Sequence, residues 1–159
     1  MSMAAMAKFL LAMHRPAEAL VLIDECLERV PGKAVDPRMV RAMIELRVRY
    51  FAMAKDVAGC RETAEVWEKL NYTDAESYYI AANVRAVTCT VAGQTPGADA
   101  TRLAEAEAGQ AMDWLRKAMT GGYGNISHLV ANADLAPLRK RADYAALLWD
   151  LADTPAAAQ

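Results

Sequence analysis

Two histidines, three cysteines and several paired carboxylates are the groups in this 159-residue sequence that could carry chemistry. His14 and His128 stand far apart. Neither has a second histidine three or four residues on, the spacing that sets two imidazoles on one helix face around zinc. His14 lies beside Arg15 and Pro16 in a helix-breaking stretch and is expected at a surface turn or helix end. His128 precedes Leu129-Val130 and is expected to be a buried, hydrogen-bonded packing residue. Cys26, Cys60 and Cys89 form no C-x-x-C pair and have small or apolar neighbours, so they read as small buried hydrophobes. Glu25/Glu28, Glu62/Glu65 and Glu105/Glu107 have Arg29, Arg61, Lys69 and Arg102 close by in sequence. Ion-paired, solvated helix faces are expected of them rather than general acid–base work. Gly121-Gly122 and the stretch 93–97 lack the strand-to-helix setting of a phosphate loop and read as a helix stop and a loop. No catalytic residue, metal site or cofactor is expected.

Composition narrows the class further. A net charge of -2, with both signs interspersed, leaves no basic footprint for nucleic acid. Phe9-Leu10-Leu11-Ala12-Met13 is far short of the roughly 20 apolar residues a membrane helix needs. The helical pattern runs on from it into Glu18, Asp24 and Glu25 without a cleavage-like break, so export is not expected. With unpaired cysteines, a reducing cytoplasm is the expected compartment.

The elements that must position these residues are all helices. Apolar residues recur at helical spacing over 3–13, from Pro16 to Val30, over 37–56, from about 60 to 70, from Thr73 to about Val91, over 99–119 and over 141–152. Short helical turns are expected near 125–130 and 133–139. Pro16 and Pro37 suit first helical turns, and Thr73-Asp74-Ala75-Glu76 reads as a capping box. Met39, Met43, Leu46, Tyr50 and Met53 form one stripe of the third helix, expected to face the core. Trp67, Trp114 and Trp149 are likewise expected to pack. No segment alternates with period two for long enough to be a strand.

Three second helices share a triad spacing of i, i+4 and i+7: Ala19-Ile23-Cys26 and Ala111-Leu115-Ala118 are small-large-small, and Thr63-Trp67-Leu70 falls at the same spacing. Such triads let helices nest closely, as in tetratricopeptide repeats. The stretches 58–70, 77–91, 111–123 and 128–144 carry a more specific likeness, which ends on Asp134-Leu135, Leu138-Arg139, Asp143-Tyr144 and Leu147-Leu148. On these residues the chain resembles the tetratricopeptide-type C-terminal region of planctomycete serine/threonine protein kinases. It departs from that pattern at Asn132-Ala133, where a second Asp-Pro step is usual, at Ala142, and at Asn83, where cysteine is common. Weaker capping of the connecting turns is the expected consequence.

The resemblance implies an all-α array of tetratricopeptide-like helical hairpins, an α-α superhelix with a C-terminal capping helix. One domain is expected over 1–152, followed by a disordered tail at 153–159. It also implies a groove lined by the first helix of each pair, and the register points to Lys8, Lys55, Tyr79 and Asn83. There an asparagine amide would hold a peptide backbone and a lysine would meet a carboxylate. Kinase chemistry is not implied: the sequence has no Gly-rich loop, V-A-I-K, H-R-D or D-F-G motif. The expected function is a non-catalytic scaffold that binds a protein or peptide. The alternatives are a fragment or stand-alone relative of a serine/threonine kinase, and a self-associating structural protein.

Overall fold

The computed structural model describes residues 3–32 and 35–154. Eight α-helices and one 3-10 helix account for the described secondary structure, and no strand occurs among the described residues. The chain groups into two compact units, Met1–Leu70 and Asn71–Gln159, where the sequence suggested one domain. Of the tail expected at 153–159, Asp153 closes the last helix and the Thr154 hydroxyl donates to Asp150 O at 2.7 Å. Residues 155–159 lie outside the described residues.

Unit 1 holds α1 (Met3–Ala12), α2 (Pro16–Glu28), α3 (Pro37–Met53) and α4 (Val57–Lys69). Local chemistry fixes most of the ends. Pro16 and Pro37 occupy first turns, where a missing N–H costs no helical bond. Asp36 and Asp56 cap α3 and α4 by accepting from Arg38 N and Gly59 N. The α1–α2 and α3–α4 turns are built alike. His14 (φ 56°) and Lys55 (φ 54°) take the left-handed conformation, and the residue after each donates its N–H back to Leu10 O or Phe51 O. This is the paired-bond stop that satisfies a helix's last carbonyls.

The α3–α4 pair is antiparallel. Phe51 lies against Gly59 at one level, and Arg47 bonds Thr63 one turn along. The core stripe of α3 is Val40, Met43, Ile44, Arg47 and Val48, not the methionine stripe expected from sequence. Of that stripe only Met43 is buried; Met53 is 86% exposed. Arg47 explains the discrepancy, because a charge stands in the middle of the real core face. Its guanidinium reaches Asp24 on α2 (2.8 Å) and Thr63 (2.5 Å) and Glu62 (3.1 Å) on α4, and it lies over the Phe51 ring.

Unit 2 holds α5 (Ala75–Gln94), α6 (Ala100–Thr120), α7 (Ile126–Ala131), the 3-10 helix η1 (Ala133–Leu138) and α8 (Ala142–Asp153). Asp74, rather than Thr73, caps α5, accepting from Ser77 N and from the Ser77 hydroxyl. The helix runs on through Gly93, into what was expected to be loop. α6 lies antiparallel to α5: Gly121 approaches Ala75 at one end and Gly93 approaches Ala104 at the other. It ends as expected at the glycine pair, with Gly122 left-handed (φ 98°) and Tyr123 N donating to Ala118 O.

All members of the Ala19-Ile23-Cys26 and Ala111-Leu115-Ala118 triads are buried, as are Thr63 and Trp67 of the third. Leu135, Leu138 and Tyr144 seal the unit 2 core together with Met112 and Leu129. Trp149 does not join them: it is 70% exposed on α8, against expectation.

Candidate functional site

Tyr79 and Asn83, two of the four groove candidates, come together in unit 2 on successive turns of α5. Their polar atoms are engaged inside the fold. One amide group does most of this: Asn132 Nδ2 donates to the Tyr79 hydroxyl at 2.6 Å and to Asn83 Oδ1 at 2.8 Å. Asn83 Nδ2 in turn donates to Asp134 Oδ2 at 3.0 Å. Tyr79 is buried, its ring stacked on Tyr123 with centroids 4.4 Å apart. Burial pushes its phenol pKa up, against the lowering hydrogen bonds from Asn132 and Tyr123. Tyr123 is also pushed up, by burial first and then by Tyr79.

His128 is exposed rather than buried, although it is hydrogen-bonded as expected: its Nδ1 lies 2.8 Å from the Tyr123 hydroxyl. The capping expected to be weak at Asn132 is present, since the Asn132 side chain accepts from Asp134 N at the start of η1. The cluster fastens the 123–134 segment to α5.

Lys8 and Lys55 belong to unit 1, and both are exposed. Lys8 lies on α1, one turn before Leu11. Lys55 is in the α3–α4 turn, not within a first helix. Neither lines the groove of about 520 Å³ that unit 1 also carries. Leu11, His14 and Pro16 form one wall, and Leu46, Arg49, Tyr50 and Met53 of α3 form the other. Its floor is apolar, its lining includes two basic side chains, Arg49 and His14, and none of the lining side chains is a carboxylate. Leu46, Tyr50 and Met53 are the residues assigned to the core from sequence. Their place on this wall follows from the rotation of α3 that buries Arg47.

The carboxylate pairs divide. Glu62 and Glu105 are exposed partners of Arg47 and Arg141, in keeping with ion-paired surface faces. Glu107 is not: its side chain is 3% exposed and accepts from Arg85 Nη1 at 2.9 Å, with Arg85 itself 5% exposed. The signal for this was in the sequence. Glu107 stands four residues before Ala111 on the packed face of α6, and Arg85 is the one charged residue in the run from Ser77 to Val91.

The three cysteines are buried and none forms a disulfide, and burial raises the thiol pKa of Cys26 and Cys89. No group of three His, Cys, Asp or Glu side chains gathers as a metal site among the described residues. Nor is any helix among them long and apolar enough to cross a membrane.

The fold and these surfaces define an all-helical protein with an apolar groove on unit 1 whose lining includes Arg49 and His14. Compared with protein-family models, with curated proteins and with solved structures, the chain matches none.

Proposed function

We propose that this chain is a non-catalytic, tetratricopeptide-like interaction module, similar in kind to the C-terminal region of planctomycete serine/threonine kinases. It docks a protein segment on unit 1. One observation carries this reading: the α1/α3 groove joins an apolar floor to a lining that includes Arg49 and His14 and no carboxylate. Apolar contact supplies the larger part of the free energy in such a groove, while rim charge selects the partner and speeds its arrival. Three antiparallel or closely paired helix pairs, two of them with a fully buried small-large-small triad, support the tetratricopeptide-like description. Lys8 and Lys55 keep a binding role in this reading. Tyr79 and Asn83 become framework residues.

Affinity capture from a cytoplasmic extract, with the full chain as bait, tests the reading when run beside a Leu46→Glu/Met53→Glu variant. The variant keeps its helical circular dichroism and loses the proteins that the native chain retains. Recovery of the same proteins by both baits would overturn the groove as the docking site. ATP bound at micromolar affinity would overturn the non-catalytic reading.

A further inference from the structure

The groove has a counterpart of opposite sign on the same unit. α2 carries four acids and no cation between Pro16 and Glu28. Asp24 is turned inward to Arg47, which leaves Glu18, Glu25 and Glu28 exposed. Among them stands Val21, 60% exposed. With Met6, Leu10 and Leu22 it forms a shallow apolar depression of about 360 Å³, edged by Glu18 and Glu25. Glu18 is held by Arg15 at 2.5 Å in an exposed pair, which in water adds little and competes little with a new partner.

Unit 1 thus exposes two apolar faces: one edged by carboxylates on α2, the other lined by Arg49 and His14, with the exposed Lys55 next in sequence to the lining residue Ala54. Five of the seven large apolar side chains most exposed among the described residues (Met6, Phe9, Met13, Val21 and Met53) lie in this unit, which places the docking surface here.

We propose that the occupant of the basic groove is the α2 face of a second copy of this chain, with Val21 over Leu46, Tyr50 and Met53, and Glu18 and Glu25 toward Arg49 and Lys55. Because two different faces meet, the contact is heterologous. Each copy offers both, so association continues head to tail until it closes on itself or runs on as a filament. This rests on the reading of unit 1 as a docking surface and names its partner.

Sedimentation velocity of the purified full chain, over a range of concentration and salt, tests the proposal. The native chain gains mass with concentration and loses part of that gain on going from about 0.05 M to about 1 M salt, as the rim charges are screened. An acid-face variant, Glu18→Lys/Glu25→Lys, and a groove variant, Arg49→Glu/Lys55→Glu, each associate more than about tenfold more weakly, since like charges then face each other. Circular dichroism confirms that both are folded, and an equimolar mixture of the two associates again because opposite charges are restored.

A native chain that stays monomeric at every concentration overturns the proposal, as does association that neither variant changes or a mixture that fails to recover. The two readings fail separately. A monomeric chain whose capture of other proteins still depends on Leu46 and Met53 rejects the second copy and keeps the docking groove. A monomer without that dependence rejects both.

Discussion

Each unit buries one arginine against a neighbouring helix, and the two are treated differently. Arg85 in unit 2 is closed in with Glu107, both side chains at or below 5% exposure. Arg47 in unit 1 is as deeply buried, yet two of its acceptors, Asp24 and Glu62, keep 43% and 64% of their side-chain surface in water. The same contrast runs through the rest of each unit. In unit 2 the Tyr79, Asn83, Asn132 and Asp134 groups satisfy one another, and the 123–138 segment seals the core of α5 and α6. In unit 1 the polar groups stand at rims and the apolar ones face outward in two depressions. Unit 2 is the more completely self-satisfied structure; unit 1 leaves more of its large apolar side chains exposed.

The contrast breaks most sharply at Glu107. Glu107→Ala leaves a buried guanidinium without its carboxylate and is expected to cost about 3–5 kcal/mol, whereas Arg85→Met/Glu107→Leu together is expected to be close to neutral. Urea denaturation followed by circular dichroism checks both. A loss below 1 kcal/mol (about the value of an exposed pair) for the single change would show that water reaches Arg85, and the distinction between the units would fall.

Next in size is Gly59→Ala. A Cβ at Gly59 would sit 2.2 Å from the Phe51 ring, so the ring must move or the helices shift to admit it. Overpacking of this kind costs about 1–3 kcal/mol, and Phe51→Leu in the same chain should recover much of it. If the two changes simply add, the close approach is not what makes glycine necessary there.

Arg47→Met is expected to cost less than Glu107→Ala, about 1–2 kcal/mol, because Asp24 and Glu62 return to water that already touches them. The methionine still fills the core stripe. Equal losses at Arg47 and Glu107 would mean that carboxylate exposure does not separate the two arginines.

Much of this fold was legible in the sequence, for reasons that can be named. Helix ends were readable where one residue type answers a single backbone need: Pro16 and Pro37 in first turns, Gly122 in a left-handed stop. The triads Ala19-Ile23-Cys26 and Ala111-Leu115-Ala118 were legible because small residues at i and i+7 have few uses other than close packing. The two buried arginines were not, since a charge within an apolar stripe looks like a break in it. At α3 this rotated the assigned face and hid the groove, placing Leu46, Tyr50 and Met53 inside. The network in unit 2 was hidden for another reason. Asn83 and Asn132, both departures from the pattern the chain resembles, are 49 residues apart and bond each other across that separation. A long-range pair of amides leaves no local periodicity to find. Asn83 was singled out for the right chemistry, paired donor and acceptor bonds, but with the fold itself as the partner.

The smallest expected effect concerns how unit 2 is fastened at its C-terminal end. Asp143 accepts from Arg141 Nε at 2.9 Å and from Arg116 Nη2 at 3.3 Å, and Arg141 also holds Glu105 on α6. The Arg141 hydrogen bond holds the Asp143 carboxyl below the usual aspartate range, with burial opposing it. A carboxyl whose pKa is depressed by folding contributes stability that is fully present above its unfolded value, about 3.9, and is lost as pH falls through the lower folded value. Stability of the native chain should therefore decline below about pH 4, and in Asp143→Asn that part of the acid limb should be flatter while the two converge at the lowest pH. Thermal midpoints followed between about pH 6 and pH 2 give the comparison. Superimposable acid limbs would show that the α6–α8 clasp is an exposed pair of no consequence, and that unit 2 is closed by its Leu135, Leu138 and Tyr144 packing alone.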